Sequence, residues 1–413
     1  MLEAEVIGMR LKRMSGALCM LVAAVLFSGC GDQGWVRTSP DGQYVTIVRQ
    51  PPDAPADSAT LELALHHIDR RQTTPIVRFS LDENSPHAGW VNNCQWTPDS
   101  RAVCFSWLRA EAPTDTQATP SENGDATPAD TAQTSDAKYS LMLYEVASGR
   151  LTELPISVQS PRWSADGKYL MGLGGDEEQP SILIYRTDTW VCTQQIRIPK
   201  EYYDKVVVWD WAHWVRSEPP RVVICLGATP YSVNMRGSSL EIDPAKRCGN
   251  LYLLQGDQLI PLTTTGDVQA FWVDKSGVVM RWARVKHGKF LAVFERPLQG
   301  GAPRRVALIP YAPLPKDACI DETFYRFSPD GQRLAWQTDY GVSVLEITTG
   351  VIRTLHAHKP HKATDETRTD GKGWSFELKQ PAIIGFDWRD AETLIIQRNE
   401  GQLELRSVRV LNP

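Results

Sequence analysis

Short runs of branched and aromatic residues alternate along most of this chain with polar turns, in a rhythm too short for helices and typical of β-strands. The sharpest turns read Ser39-Pro40-Asp41-Gly42 and Ser328-Pro329-Asp330-Gly331. Related ones are Trp163-Ser164-Ala165-Asp166-Gly167 and Trp96-Thr97-Pro98-Asp99-Ser100, with weaker versions near Val215, Val273 and Arg389. The turns start at 39, 97, 164, 215, 273, 328 and 389, in steps of 58, 67, 51, 58, 55 and 61 residues. Each turn residue has a mechanical reason to be there. Pro presets φ, Asp accepts bonds from nearby backbone N–H groups, and Gly takes the left-handed conformation that closes a hairpin. Around Ser328 this predicts a strand from Phe324 to Phe327, a turn, and a strand from Arg333 to Gln337.

Two further strands follow in most repeats. Examples are Leu141 to Val146 with Leu151 to Leu154, Leu251 to Leu254 with Leu259 to Leu262, and Val342 to Ile347 with Ile352 to Leu355. Four short strands per repeat at this period predict an all-β chain folded as a β-propeller, one blade per repeat. Seven blades fit the turns best, and counts of six and eight stay open. Two repeats depart from the pattern. The one near Val215 has a long loop, Ala212 to Pro220, between Val206 to Trp211 and Arg221 to Leu226. The last has Ile383 to Trp388, Thr393 to Gln397 and Leu403 to Val410, so it is either three-stranded or completed by an N-terminal segment.

An aromatic-Ser-Pro-Asp-Gly hairpin, a Leu-Tyr strand and a Leu-Thr strand recur in order. Leu143-Tyr144, Gly149, Leu151-Thr152, Trp163-Ser164 and Asp166-Gly167 are one instance, and Leu251-Tyr252-Leu253, Leu262-Thr263 and Trp272 are another. This pattern resembles the propeller repeat of the TolB family and, more broadly, WD40-like repeats. The resemblance covers nearly all of the chain beyond residue 34. It implies the fold and says little of activity, because the repeat occurs in scaffolds, in binding proteins and as the gate domain of some peptidases.

The start of the chain differs in kind. Arg10, Lys12 and Arg13 precede an apolar run from Ala17 to Phe27, too short to span a bilayer as a helix and suited to a secretory signal. Glu3 and Glu5 fit such a leader poorly, so Met9 is a second candidate start. Leu26-Phe27-Ser28-Gly29-Cys30 looks like the lipobox of bacterial lipoproteins. That resemblance implies cleavage before Cys30, lipidation of Cys30, and attachment to the membrane of a bacterial cell envelope, facing the periplasm or the exterior. Two or more acyl chains anchor stably where one does not. The expected organisation is a signal peptide at 1–29, a lipidated tether at 30–34 and a propeller at 35–413. Losing residues 1–29 moves the formal charge from −5 to −6, so the lipid and not electrostatic adsorption would hold the chain to an anionic surface. The same mild acidity gives no footprint of a nucleic-acid binder.

Of eight cysteines, six remain once Cys19 and Cys30 are set aside. Cys94 and Cys104 lie symmetrically about the turn at Asp99 and are the candidate disulfide, the alternative being two small buried thiols. No CxxC spacing suggests a metal or redox site. Residues 109–138, with no aromatic, Val, Ile or Met and only polar or small neighbours, are expected to be an insertion that buries nothing. The polar loop 356–373 carries His356, His358 and His361, whose spacing matches no established metal motif. Asp176-Glu177-Glu178 lacks the alternating ligands of a calcium loop. No cofactor or metal is therefore expected.

The best candidates for a binding site are positional. Gln95, Arg162, Asp210, Arg326 and Asp387 each precede an aromatic residue in what should be the inner hairpins, where side chains approach the axial channel. The competing expectation is that they bridge neighbouring blades as ion pairs. A Gly-x-Ser-x-Gly elbow and the large α/β domain it would need are both missing. On that ground the chain is expected to be no enzyme but an envelope scaffold for a protein partner, with a channel site for a sugar or peptide as the alternative.

Overall fold

A computed structural model describes residues 35–55, 60–80, 89–109, 138–174, 181–198, 211–228, 248–286, 290–310, 324–338, 341–357, 383–398 and 402–408. The described residues form seven antiparallel sheets. Blade 1 holds β1 (Arg37–Thr38), β2 (Tyr44–Arg49), β3 (Thr60–His67) and β4 (Gln72–Ser80). Blade 2 holds β5 (Gly89–Trp96), β6 (Ala102–Arg109), β7 (Lys138–Glu145) and β8 (Leu151–Glu153), and blade 3 holds β9 (Gln159–Trp163), β10 (Tyr169–Gly174), β11 (Ser181–Arg186) and β12 (Cys192–Arg197). Blade 4 holds β13 (Ala212–Arg216), β14 (Arg221–Ala228), β15 (Cys248–Gln255) and β16 (Gln258–Pro261). Blade 5 follows with β17 (Val268–Val273), β18 (Val279–Lys286), β19 (Phe290–Pro297) and β20 (Arg304–Pro310). Blade 6 holds β21 (Phe324–Phe327), β22 (Arg333–Thr338), β23 (Gly341–Glu346) and β24 (Ile352–Ala357), and blade 7 holds β25 (Ile383–Asp390), β26 (Thr393–Arg398) and β27 (Leu403–Ser407). The chain is a seven-bladed β-propeller. In every blade the strands pair in chain order, and the first strands of successive blades lie beside one another around the axis.

The repeated turn closes by one hydrogen-bond circuit. Ser39, Ser164 and Ser328 donate from Oγ to Oδ1 of Asp41, Asp166 and Asp330 at 2.6, 2.8 and 2.5 Å. The same three hydroxyls accept the N–H of Tyr44, Tyr169 and Arg333, each at 2.9 Å. Each carboxylate then accepts the N–H two residues on, from Gln43, Lys168 and Gln332. Gly42, Gly167 and Gly331 close the loops at φ of 69°, 72° and 68°, a region that costs most residues but not glycine. Blade 5 builds the equivalent loop with Asp274 in the serine position, where its Oδ1 accepts the N–H of Val279 at 2.7 Å. These carboxylates are therefore turn-builders.

Seven clusters of buried residues lie one to each blade junction. Trp35, Leu63 and Phe79 meet Val91, Phe105 and Met142 between blades 1 and 2, and Cys104 and Leu141 meet Leu170 between blades 2 and 3. Ile182 and Ile184 meet Val222 and Ile224 between blades 3 and 4, and Cys225 and Leu251 meet Phe271 and Met280 between blades 4 and 5. Ala283 and Val293 meet Leu334 and Trp336, Val342 and Val344 meet Phe386 and Leu394, and Ile395 closes the ring against Val45 and Ile47. A sheet buried on both faces explains strand interiors that are apolar without alternation, as in β2.

Three features bear on the expectations, and one of them, in blade 4, departs from expectation. The seventh sheet has three strands among the described residues, and no described N-terminal strand joins it. The ring is instead joined there by side chains, with Thr38 N–H donating to Asp387 Oδ2 at 2.8 Å, Gln397 Nε2 donating to the Val48 carbonyl, and Arg389 pairing with Asp69 at 3.2 Å. In blade 4 the residues 212–216, expected as loop, are the inner strand β13, and the turn is 217–220. The expected insertion 109–138 leaves and rejoins blade 2 at a paired position, Arg109 opposite Lys138, and residues 110–137 lie outside the described residues.

Candidate functional site

The inner strands β1, β5, β9, β13, β17, β21 and β25 place one residue per blade just before the position occupied by Trp96, Trp163, Trp214, Phe327 and Trp388, and by Thr38 and Val273 in blades 1 and 5, so that Trp272 itself is the blade 5 residue. Three of these are arginines, Arg37, Arg162 and Arg326, each buried. Their backbone carbonyls accept indole N–H bonds from the next blade, Trp96 to Arg37 at 2.9 Å, Trp214 to Arg162 at 3.1 Å and Trp388 to Arg326 at 3.1 Å. A wide ring thus fills the wedge between blades while its polar edge is satisfied.

Arg326 and Asp387 are brought together. The guanidinium is 3.0 Å from Asp387 Oδ1 and also donates to the carbonyls of Phe386 at 3.0 Å and Val36 at 3.3 Å, while the planar group lies over the Phe386 ring at 5.8 Å. With Thr38 N–H on the other carboxylate oxygen, blades 6, 7 and 1 meet at one ion pair. Arg162 donates to its neighbour, the Pro161 carbonyl, at 3.0 Å. Gln95 is half-buried opposite Cys104. Asp210 lies outside the described residues, and the blade 4 residue at the shared position is His213, whose ring meets Phe271 of blade 5 edge-on at 4.8 Å. The expectation that Asp210 fills this place followed from placing the strand ahead of Trp211. Arg37 was overlooked, although it stands two residues before Ser39 as Arg162 and Arg326 stand before Ser164 and Ser328.

Cys94 and Cys104, the candidate pair, are both buried and carry no disulfide in this structure. The ladder between β5 and β6 shifts between Asn92 and Gln95, with Asn93 at φ 54°, so that Cys104 faces Gln95. Cys94 packs into the junction with blade 1 and Cys104 into the junction with blade 3, on opposite faces of the sheet. Burial pushes the Cys104 thiol up to about 12, against the Trp163 indole N–H at 3.2 Å and nearby Arg162, which favour the thiolate. Cys225 is likewise pushed up to about 12 by burial. Such thiols are inert as nucleophiles at neutral pH. Cys30, Asp176, His358 and His361 lie outside the described residues, and of the loop 356–373 only the backbone of His356 and Ala357 is placed, at the end of β24. Among the described residues no three His, Cys, Asp or Glu converge on a point that would hold a metal ion.

No protein-family model matches the chain, and no curated protein matches it in sequence. Its fold is found in many solved structures. An oligogalacturonate lyase in complex with manganese matches at TM-score 0.54 and 11% identity, over 92% of this chain and 90% of that one. The oligogalacturonate lyase of Vibrio parahaemolyticus matches at 0.52 and 10%, over the same shares. TolB from Acinetobacter baumannii matches at 0.42 and 14%, and this match covers 75% of the present chain and spans 62% of TolB. The expectation that the chain is no enzyme is overturned as argued. It rested on the lack of a second large domain, whereas lyases of this fold are matched over nine-tenths of their length. Identities of 10–11% show the shared fold and leave activity unassigned.

Proposed function

We propose that the protein is a lipid-anchored β-propeller of the bacterial cell envelope that holds a protein partner. The observation that carries the interaction reading is the use made of the inner positions. Arg326 and Asp387 bind one another and three blades, and His213 packs on Phe271, so these side chains join blades in place of forming a cup for a solute. The anchor reading rests on the lipobox-like run ending at Cys30, with the first described residue of the ring, Trp35, close behind it. Lipid on Cys30 would tether the propeller within a few residues of the membrane surface.

Labelling cells with a radioactive fatty acid and fractionating them tests the anchor. The wild-type chain is expected to carry label and sediment with membranes, and Cys30→Ala to lose both; a labelled, membrane-bound Cys30→Ala chain would sink the proposal. Crosslinking in intact cells followed by detergent capture tests the partner, which should co-purify in fixed ratio and be lost when surface residues of one propeller face are exchanged. A second reading, a solute site at the axial mouth, is favoured by Gln95, which is polar and half-buried at an inner position. Gln95→Ala separates these readings, because the solute reading expects lost solute binding with an unaltered melt and the interaction reading expects the partner to co-purify in the same ratio as with the wild type.

A further inference from the structure

Every blade of a propeller ends on an outer strand, and an outer strand that is long, regular and uncovered is a template for pairing with another chain. Six of the seven outer strands here are blunted. β4 contains Pro75 and an extra residue, Ile76, opposite Leu63 and Ala64 of β3. β12, β20 and β24 each carry one extra residue as well, Thr193, Val306 and Leu355, at a break in their ladders. β8 is three residues long, and β16 is four and ends on Pro261. The exception is β27. Its five residues, Leu403 to Ser407, pair with Gln397 to Thr393 in unbroken register, without proline, and the sheet has no described strand beyond it.

The alternation of the ladder tells which groups face outward. Arg398 N–H donates to the Gln402 carbonyl and Val408 N–H to the Glu392 carbonyl, both at 2.8 Å. Glu404 and Arg406 therefore bond inward to β26, and the peptide groups of Leu403 and Leu405 turn to the outer edge. The Leu405 side chain is 47% exposed, among the most exposed large apolar side chains of the described residues. Glu404 and Arg406 stand on the opposite face, with Arg406 Nε 3.0 Å from Glu404 Oε2 and Arg398 Nε 2.7 Å from Glu404 Oε1.

We propose that β27 pairs with β27 of a second copy of this chain, antiparallel about a two-fold axis through Leu405. That register sets Leu405 opposite its own copy with outward peptide groups on both sides, and sets Glu404 of each chain opposite Arg406 of the other, twice. The strand is thus self-complementary in hydrogen bonding and in charge, which singles out a second copy as its occupant. A pair of blades joined in this way forms one six-stranded sheet across the two propellers.

Sedimentation velocity on the full chain in detergent, at roughly 1 to 100 μM, should reveal a reversible dimer. Glu404→Arg alone and Arg406→Glu alone place like charges opposite each other twice, and each should weaken the dimer about tenfold or more. An equimolar mixture of the two variants restores both attractive pairs and should associate as the wild type does. Leu405→Lys, at an exposed side chain that leaves the Arg398 contact intact, should also give monomers without loss of the circular dichroism of the fold. A wild-type chain that stays monomeric overturns the proposal, including one whose Leu405 amide is protected from exchange because another segment covers the edge. A dimer indifferent to both reversals, or a mixture that fails to recover, overturns it as well.

Discussion

Blades 1 and 6 close with the same four residues, Ser-Pro-Asp-Gly, through the same hydrogen bonds and at nearly the same glycine φ, 69° and 68°. Their surroundings differ. A side chain on Gly331 would run into the Trp272 ring of blade 5 at 2.5 Å, whereas one on Gly42 would meet the flexible Arg389 side chain of blade 7 at 3.4 Å. The backbone chemistry of the turn is local and repeats, but the fit of the turn to its neighbour belongs to each junction. Inside the array the neighbour is a rigid indole. At the junction where the ring closes it is a long, partly exposed arginine paired with Asp69.

The largest effect should come from the closing junction's ion pair. Arg326→Met removes the partner of Asp387 in a buried site and is expected to cost about 3 kcal/mol, read as a fall in the urea midpoint. An unchanged midpoint would mean that the apolar contacts of Ile395 with Val45 and Ile47 suffice to close the ring. Next are the two turn glycines. Gly331→Ala should cost about 2 kcal/mol, from left-handed strain and overpacking together, and Gly42→Ala about 1 kcal/mol from strain alone. Equal losses in parallel denaturation curves would erase the contrast between the two junctions.

Gln397 is fully buried and donates to the Val48 carbonyl across the closing junction, so Gln397→Leu should lose about 1 to 2 kcal/mol by leaving that acceptor unsatisfied. The smallest effect concerns acid. Burial works to raise the Asp166 pKa, but the bonds from Ser164, from Ser217 of blade 4 and from the Lys168 N–H outweigh it, and the net direction is down. A carboxylate whose folded pKa is depressed contributes stability that is fully present above the unfolded value and is lost as pH falls through the folded one. Ser217→Ala should therefore narrow the stability difference between pH 6 and pH 3 slightly, as measured by denaturation at the two values, while leaving the blade 6 turn at Asp330 unaffected.

What could be foreseen from sequence divides along the same line. The Ser39, Ser164 and Ser328 turns were legible because serine, aspartate and glycine act within five residues of one another. The register between strands was not, because it depends on the backbone at Asn93, whose positive φ has no sequence marker and which carries Cys94 and Cys104 to opposite faces. Blade 4 has neither Asp nor Gly in its turn, so nothing local distinguished His213 from Asp210 as the inner residue. The partnership of Arg326 with Asp387 and Thr38 was hidden for a different reason, since it joins residues 349 positions apart through the closure of the ring. An axial position could be guessed from the repeat, but whether its side chain faces a ligand or a neighbouring blade is decided only by that neighbour.

The paired ends of the blade 2 insertion carry a practical consequence. Arg109 and Lys138 are ladder partners at the tips of β6 and β7, so whatever lies between them begins and ends at one point on the rim. The free energy of joining two such points grows only with the logarithm of the length between them, about 0.6 kcal/mol for each doubling. This rim position is therefore a port. It can accept or surrender a passenger domain, an epitope or a reporter at little cost to the ring, and it offers a handle for orienting the propeller on a surface without touching its axis or its seventh blade.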